Sequence, residues 1–99
     1  MSRFEGNPKH GERDQAEIGR APRDGQTGLE HSVQVKGTSP RRVGVDAADS
    51  EIVVLDQTVQ GVFHGHVRSW DELTDHQRNA LIRAGLTDKR GNIMEPEDR

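Results

Sequence analysis

Two histidines one residue apart, His64 and His66, are the residues of this sequence best suited to chemistry. In an extended strand, side chains two positions apart lie on the same face, about 6.6 Å from each other. That separation could place one imidazole near a hydroxyl that attacks a phosphate and the other near the leaving oxygen. Histidine titrates near neutral pH, so this side chain can act as an acid or as a base. The pair therefore predicts acid–base chemistry on a phosphate.

Basic residues near the pair could neutralise the charge that develops on the phosphoryl oxygens. Arg68 follows His66 by two positions, and Arg42 lies in an earlier segment of alternating polarity. The planar guanidinium group of arginine also suits phosphate recognition. The predicted catalytic residues are His64, His66, Arg68 and Arg42, and the predicted substrate-binding residues are Lys36, Arg41, Asp46 and Trp70.

The histidine pair has two other interpretations. A His-x-His pair on a strand is also typical of zinc sites, which need a third protein ligand. His31, Asp46 or His76 could supply that ligand, but no spacing selects one of them, and neither a metal nor a cofactor is predicted. Alternatively, both imidazoles are solvated side chains on an exposed sheet face, and Gly65 between them marks a bulge or a close approach.

The other selected residues have simpler interpretations as well. Arg41 and Arg42 could be solvated residues at the start of a strand, or they could contact a phosphate. Asp46 could cap the turn that follows it or act as a base. Trp70 could belong to the core, form a hinge between sheet and helix, or stack against a nucleic-acid base.

The elements that position these residues follow from the hydrophobic pattern. Three segments alternate between apolar and polar residues, and one is apolar on both faces, which is typical of a central strand. A helix is predicted after two capping boxes that begin at Ser69 and Thr74, and Gly85 is placed to end it. The predicted strands are residues 31–36, 41–46, 51–56 and 62–68, the predicted helix is 77–84, and residues 91–94 could add an edge strand.

The fold class predicted from these elements is α+β: a small antiparallel sheet of three to four strands with a C-terminal helix packed on one face. Residues 1–28 contain only two large apolar residues, Phe4 and Ile18, so they are predicted to be a flexible polar leader. Residues 29–94 are predicted to be the single domain, and residues 95–99 a polar tail.

Strand alternation also predicts what each sheet face carries. The face under the helix should hold Val33, Val35, Val43, Val45, Phe63 and Val67, and the solvent face should hold Lys36, Arg42, Asp46, His64, His66 and Arg68. The net charge of −3 argues against a generic polyanion binder. The predicted solvent face could nevertheless bind an anion, because the local field of a cleft matters more than net charge.

Composition sets further limits on the class of protein. The chain has 99 residues and no cysteine, so it forms at most one small domain without disulfides or a thiol nucleophile. No apolar run approaches the ~20 residues of a membrane span, and the N-terminus lacks the apolar stretch of a signal peptide. We therefore expect a soluble, cytoplasmic monomer that does not bind membranes.

Three segments of the chain resemble the C-terminal toxin domains of bacterial polymorphic and contact-dependent inhibition systems. They are residues 32–45, 52–56 and 62–74, and the third contains the distinctive string His-Gly-His-Val-Arg-Ser-Trp. The resemblance extends over residues 22–94. It implies the small α+β fold shared by barnase, the tRNA-cleaving colicins and RelE.

The resemblance also implies a function. It implies metal-independent cleavage of RNA, with tRNA as the foremost substrate, through attack by the ribose 2′-hydroxyl and a 2′,3′-cyclic phosphate product. It further implies an immunity protein that blocks the site, and delivery by secretion as part of a larger toxin. The alternatives are a non-enzymatic protein-binding module of a phage or mobile element, and a metal-dependent nuclease with histidine ligands.

Overall fold

A mixed five-stranded sheet carries the fold in the computed structural model, which describes residues 2–5, 21–37 and 39–94. The strands are β1 (Arg3–Phe4), β2 (Ser32–Gln34), β3 (Arg42–Asp46), β4 (Glu51–Val59) and β5 (Val62–Val67). The helices are α1 (Gly25–Glu30) and α2 (Asp75–Arg83), and a 3-10 turn (Trp70–Glu72) lies between β5 and α2. In these described ranges, no helix is long and apolar enough to cross a membrane.

The strand order in the sheet is β1-β5-β4-β3-β2. Strands β2 to β5 form an antiparallel meander, as the alternating segments predict, and β1 pairs in parallel with β5. The α+β class is confirmed, whereas the fifth strand was not predicted. Strand β1 has only two residues, too few to show an alternating pattern in the sequence.

The first hydrophobic core lies between the sheet and α2, on what we call the α2 face. Val43 pairs with Val54 and Val45 with Ile52, so these four side chains share this face. Leu81 is fully buried against them. The remaining buried residues of this core are Leu73, Ala80 and Leu86. The predicted packing of the C-terminal helix on one sheet face is therefore present.

A second hydrophobic core covers the opposite side of the sheet, the α1 face. Val53, Leu55 and Phe63 are buried there with Leu29 of α1, and Phe4 of β1 packs against them. The expectation of a solvated second face is wrong, because β4 is apolar on both faces and α1 covers the second one. Residues 25–28, assigned by sequence to the leader, belong to α1.

Helix α1 is difficult to recognise because its packing depends on glycine. A Cβ on Gly44 of β3 would lie 2.1 Å from the carbonyl oxygen of Gly28 in α1, so the two backbones are in direct contact. Asp24 caps the N-terminus of the helix, since its carboxylate accepts a hydrogen bond from Thr27 N at 3.1 Å. Residues 1, 6–20, 38 and 95–99 lie outside the described residues, and with them most of the predicted leader and the whole predicted tail.

Both predicted capping boxes are present ahead of α2. Thr74 Oγ1 accepts a hydrogen bond from Gln77 N at 3.2 Å, and Gln77 Oε1 accepts one from Thr74 N at 2.9 Å. Gly85 follows the helix with a φ of 75°, as expected for the residue after a helix end. The segment 91–94 contributes a single bridge, between Thr87 and Ile93, and no full strand.

Candidate functional site

The strand register divides the predicted site residues between the two faces of the sheet. His64 pairs with Asp56 and His66 with Val54, so both imidazoles lie on the α2 face. Arg42 pairs with Leu55, which places it on the α1 face. Phe63 and Val67 also lie on the α1 face, together with Asp46. The prediction that all these residues share one sheet face is therefore wrong. Alternation shows which residues of one strand share a face, but it does not show which residues of two different strands do.

Arg42 and Asp46 have structural contacts on the α1 face. Arg42 donates from Nε to Ser32 Oγ at 2.7 Å and from Nη2 to Ser32 O at 2.8 Å, which ties β3 to β2. Asp46 is 1% exposed and accepts a hydrogen bond from Asp49 N at 3.3 Å. Asp46 therefore caps the β3–β4 turn, and a contact between Asp46 and substrate stays a prediction.

Replacing the buried carboxyl of Asp46 should stabilise the fold near neutral pH. Burial raises the pKa of Asp46, Asp49 and Asp24 raise it further, and Oδ2 has no hydrogen-bond partner. Asp46→Asn should therefore raise the free energy of unfolding by about 1 kcal/mol at pH 7. Thermal denaturation measures this change, with the exposed residue Asp71→Asn as the control.

The increase in the free energy of unfolding expected for Asp46→Asn should depend on pH in a definite direction. A carboxyl with a raised pKa in the folded state contributes stability below its unfolded pKa of about 3.9, and this contribution is lost as pH rises through the folded value. The difference in stability between Asp46→Asn and the wild type should therefore shrink as pH falls toward 4. An equal difference at pH 4 and pH 7 would contradict the assigned cause.

Three polar residues form a row on the α2 face, from the residue just before β3 across β4 to β5. Arg41 Nε donates to Asp56 Oδ1 at 2.7 Å, and both side chains are about half exposed. Asp56 faces His64 across the strand pair, where Cβ atoms lie roughly 5 Å apart. The Nδ1 atom of His64 is buried without a hydrogen-bond partner. We call Arg41, Asp56 and His64 the Arg41 row.

An open cleft of about 510 Å³ lies beside the Arg41 row, and we call it the Asp56 cleft. Among residues 2–5, 21–37 and 39–94, its lining includes three basic side chains, those of Lys36, Arg41 and His76, and one carboxylate, that of Asp56. The other lining residues are Val35, Ser39, Pro40, Gln57, Thr74 and Gln77. An excess of positive charge in a concave site favours an anionic ligand.

Glu72 contacts the residues that follow the C-terminal end of β5, the strand that carries His64 and His66. Its carboxylate accepts hydrogen bonds from Ser69 N at 2.9 Å and from Ser69 Oγ at 3.1 Å, and lies 3.8 Å from Arg68 Nη1. The hydrogen bonds from Ser69 lower the pKa of Glu72, and the charges of Arg68 and His66 lower it further. Glu72 therefore remains a carboxylate close to two of the predicted catalytic residues.

Trp70 has the position expected of a hinge between sheet and helix. Its ring packs against the first core and directly against Gly91, whose Cβ would lie 2.4 Å from the ring atoms. The guanidinium carbon of Arg78 lies 5.7 Å from the ring centroid, and Arg78 Nε donates to Trp70 O at 3.0 Å. These contacts fit the interpretation as core and hinge better than that of an open stacking platform.

The α2 face carries several of the predicted site residues, whereas Arg42 and Asp46 lie on the α1 face. Lys36 and Arg41 line the Asp56 cleft, and His64, His66 and Arg68 follow one another along the edge of the same face. Sequence analysis missed Asp56, His76, Thr74 and Gln77 as lining residues. Asp56 had a usable signal: it is the first charged residue on a strand face that begins with Ile52 and Val54.

Metal ligation requires several donors at one point. Within residues 2–5, 21–37 and 39–94, no group of three or more His, Asp or Glu side chains is placed to hold a metal ion. His31, Asp46 and His76, the candidate third ligands for the His64–His66 pair, form no such group with it.

The chain is similar to a solved structure described as the CDI complex from Cupriavidus taiwanensis LMG 19424. The two chains are 56% identical, the TM-score is 0.71, and the match covers 74% of this chain and 99% of the other. No family model and no curated protein matches the sequence. The similarity therefore extends over nearly the whole of a chain found in a complex.

Proposed function

The chain belongs to the family of this CDI (contact-dependent inhibition) protein, and from that premise we propose that it is the toxin module, an endoribonuclease, and not the immunity module. The substrate we propose is RNA, with tRNA as the foremost class, and the reaction requires no metal. The observation that carries this proposal is the Arg41 row beside the Asp56 cleft, where imidazole, guanidinium and carboxylate groups adjoin a site with excess positive charge.

The two imidazoles have different surroundings, which suits different roles. Arg41 is paired with Asp56, which faces His64 across the strand pair, and His64 is the base in this proposal. His66 lies near the carboxylate of Glu72 and is the acid in this proposal. The register places these side chains two positions apart on one face, a separation of about 6.6 Å.

The proposed reaction is an internal transfer at one phosphate. His64 takes the proton from the ribose 2′-hydroxyl, and the 2′-oxygen attacks the adjacent phosphorus. The bond from phosphorus to the 5′-oxygen of the next nucleotide breaks, and His66 gives its proton to that oxygen. The products are a 2′,3′-cyclic phosphate and a 5′-hydroxyl. Arg41 and Lys36 supply positive charge where the phosphate oxygens bind.

The test of this function is cleavage of purified total tRNA by the full chain in the presence of a chelator. Discrete fragments that end in a 2′,3′-cyclic phosphate are expected. Intact tRNA at high protein concentration, with circular dichroism showing a folded protein, would refute the nuclease. Activity that disappears with chelator and returns with a divalent metal would instead support the metal-dependent alternative.

Arg41 offers a graded test of the same site. Arg41→Ala should lower the cleavage rate by about 10- to 100-fold, as expected for the loss of one hydrogen bond to a charged group. The matched control is Arg83→Ala, because Arg83 is an exposed arginine in the last turn of α2. Equal rates for both variants in a single-turnover assay would remove Arg41 from the proposed site.

A partner protein is plausible for this chain, because its relative was solved in a CDI complex. We propose that the partner is an immunity protein with a carboxylate-rich surface that covers the Asp56 cleft. Such a protein should inhibit tRNA cleavage at a one-to-one ratio. The proposed site of action is the cytoplasm of a target cell, after delivery within a larger secreted toxin.

A further inference from the structure

A second cleft lies at the opposite end of β5, and we call it the Trp70 cleft. It has a volume of about 510 Å³ and is separate from the Asp56 cleft in its lining. The lining residues are Ala47, Ser50, Ile52, Val67, Arg68, Ser69, Trp70, Gly91, Asn92 and Ile93.

The lining of the Trp70 cleft combines apolar walls with hydrogen-bonding groups. Ile52, Val67 and Ile93 supply branched aliphatic surface, while Arg68 and Asn92 supply a guanidinium and an amide. None of the lining residues in the described part of the chain is acidic. Arginine and asparagine are the side chains that most often recognise the edges of purine bases. This combination fits a flat heterocycle with polar edges better than it fits a simple anion or an aliphatic chain.

The walls of the Trp70 cleft are fixed by contacts behind them. Asn92 N and Nδ2 donate to the two carboxylate oxygens of Asp88, at 3.0 and 2.9 Å. These hydrogen bonds lower the pKa of Asp88, which keeps it ionised as their acceptor. The amide of Asn92 is thereby held in one orientation, with its nitrogen engaged and its oxygen left as an acceptor. Gly91 packs on the Trp70 ring, which fixes a second part of the lining.

The two clefts are joined by the edge of the α2 face along β5. Arg68 N donates to Ile52 O at 2.9 Å, which places Arg68 at the Trp70 cleft, and His64 pairs with Asp56 at the other cleft. His66 lies between them. Two steps of about 6.6 Å separate Arg68 from His64. An RNA strand whose phosphate is bound at the histidines would therefore bring a neighbouring nucleotide to the Trp70 cleft.

We propose that the Trp70 cleft binds the nucleobase of a nucleotide next to the scissile phosphate and is the base-specificity subsite of this protein. The inference rests on the proposed ribonuclease function, but it names a separate set of residues. Asn92 is the specificity-determining residue in this proposal, because its amide is preset by Asp88.

The test is a titration of the 15N-labelled full chain with the four nucleosides, which carry no phosphate, and separately with ribose 5-phosphate. Nucleosides should shift the amide signals of Ser50, Gly91 and Asn92, with affinities that differ among the four bases. Asn92→Ala should weaken nucleoside binding by up to about tenfold, as expected for one lost neutral hydrogen bond. Asn79→Ala, at an exposed position of α2, should leave it unchanged.

The outcomes separate this inference from the proposed function. Nucleosides that shift no signal around the Trp70 cleft, or equal binding by Asn92→Ala and wild type, would overturn the subsite even if tRNA is cleaved. Base-dependent shifts at that cleft in a protein that leaves tRNA intact would support the subsite and overturn the nuclease. In an active protein, Asn92→Ala should also broaden the base preference beside the cut. Ribose 5-phosphate should shift signals at the Asp56 cleft only.

Discussion

Replacing His64 with alanine should reduce tRNA cleavage by roughly 10²- to 10⁴-fold, the usual contribution of a general acid or base. His64 lies in the Arg41 row and pairs with Asp56, which lines the Asp56 cleft. Its Nδ1 atom has no hydrogen-bond partner, so the substitution removes no such bond from that atom. The melting temperature should therefore change little while the rate falls. A single-turnover cleavage assay together with thermal denaturation measures both quantities.

The control for His64 is another histidine of the same chain. His31 lies at the C-terminal end of α1 and lines neither cleft, so His31→Ala should retain the cleavage rate of its folded fraction. His66→Ala should show a loss comparable to that of His64→Ala, because the proposed reaction needs both proton transfers. If His64→Ala cleaves tRNA at the wild-type rate, the base must be sought elsewhere.

The second large effect is expected on stability, at Gly44. A Cβ at this position would lie 2.1 Å from Gly28 O and 2.7 Å from Ser32 Cβ. The nearest of these atoms belongs to the backbone, so α1 would have to move away from β3. Gly44→Ala should therefore cost about 1–3 kcal/mol or more. For a domain of this size, each 1 kcal/mol corresponds to roughly 4–8 °C in melting temperature.

Gly37 provides a matched control for Gly44. A Cβ on Gly37 would meet no atom within 4 Å, so Gly37→Ala should stay within about 0.5 kcal/mol of wild type. Both substitutions add one methyl group, and only one of them lies under α1. If the two variants melt at the same temperature, α1 does not pack on β3 as described.

The antiparallel meander and α2 could be predicted from sequence because their signals are local. Alternation marks β2, β3 and β5, and reciprocal caps mark the start of α2 at Thr74. Helix α1 and strand β1 could not be predicted in this way. Helix α1 contains Gly25 and Gly28, which lower helix propensity but allow close packing on the sheet. Helix α1 and strand β1 are stabilised by tertiary contacts, which local sequence patterns do not show.

The candidate site was predictable in part for a related reason. The shared face of His64 and His66 follows from their spacing alone, and the structure retains it. The placement of Arg42 with them required the register between β3 and β5. That register depends on β4, which lies between them. Because β4 is apolar on both faces, its hydrophobic pattern does not show which of its residues face α2 and which face α1. The position of Asp56 between Arg41 and His64 likewise depends on the registers of β4 with the strands on both sides of it.

The sheet topology has a consequence for the order of folding. Each strand of the meander pairs with its neighbour in sequence, whereas β1 must reach β5 across more than fifty residues of chain, Phe4 pairing with Phe63. Contacts of low sequence separation form faster than distant ones. The lining residues of the Asp56 cleft that the structure describes all fall between Val35 and Gln77. We therefore expect the cleft to assemble early, with β1 docking as the late step that closes the sheet edge.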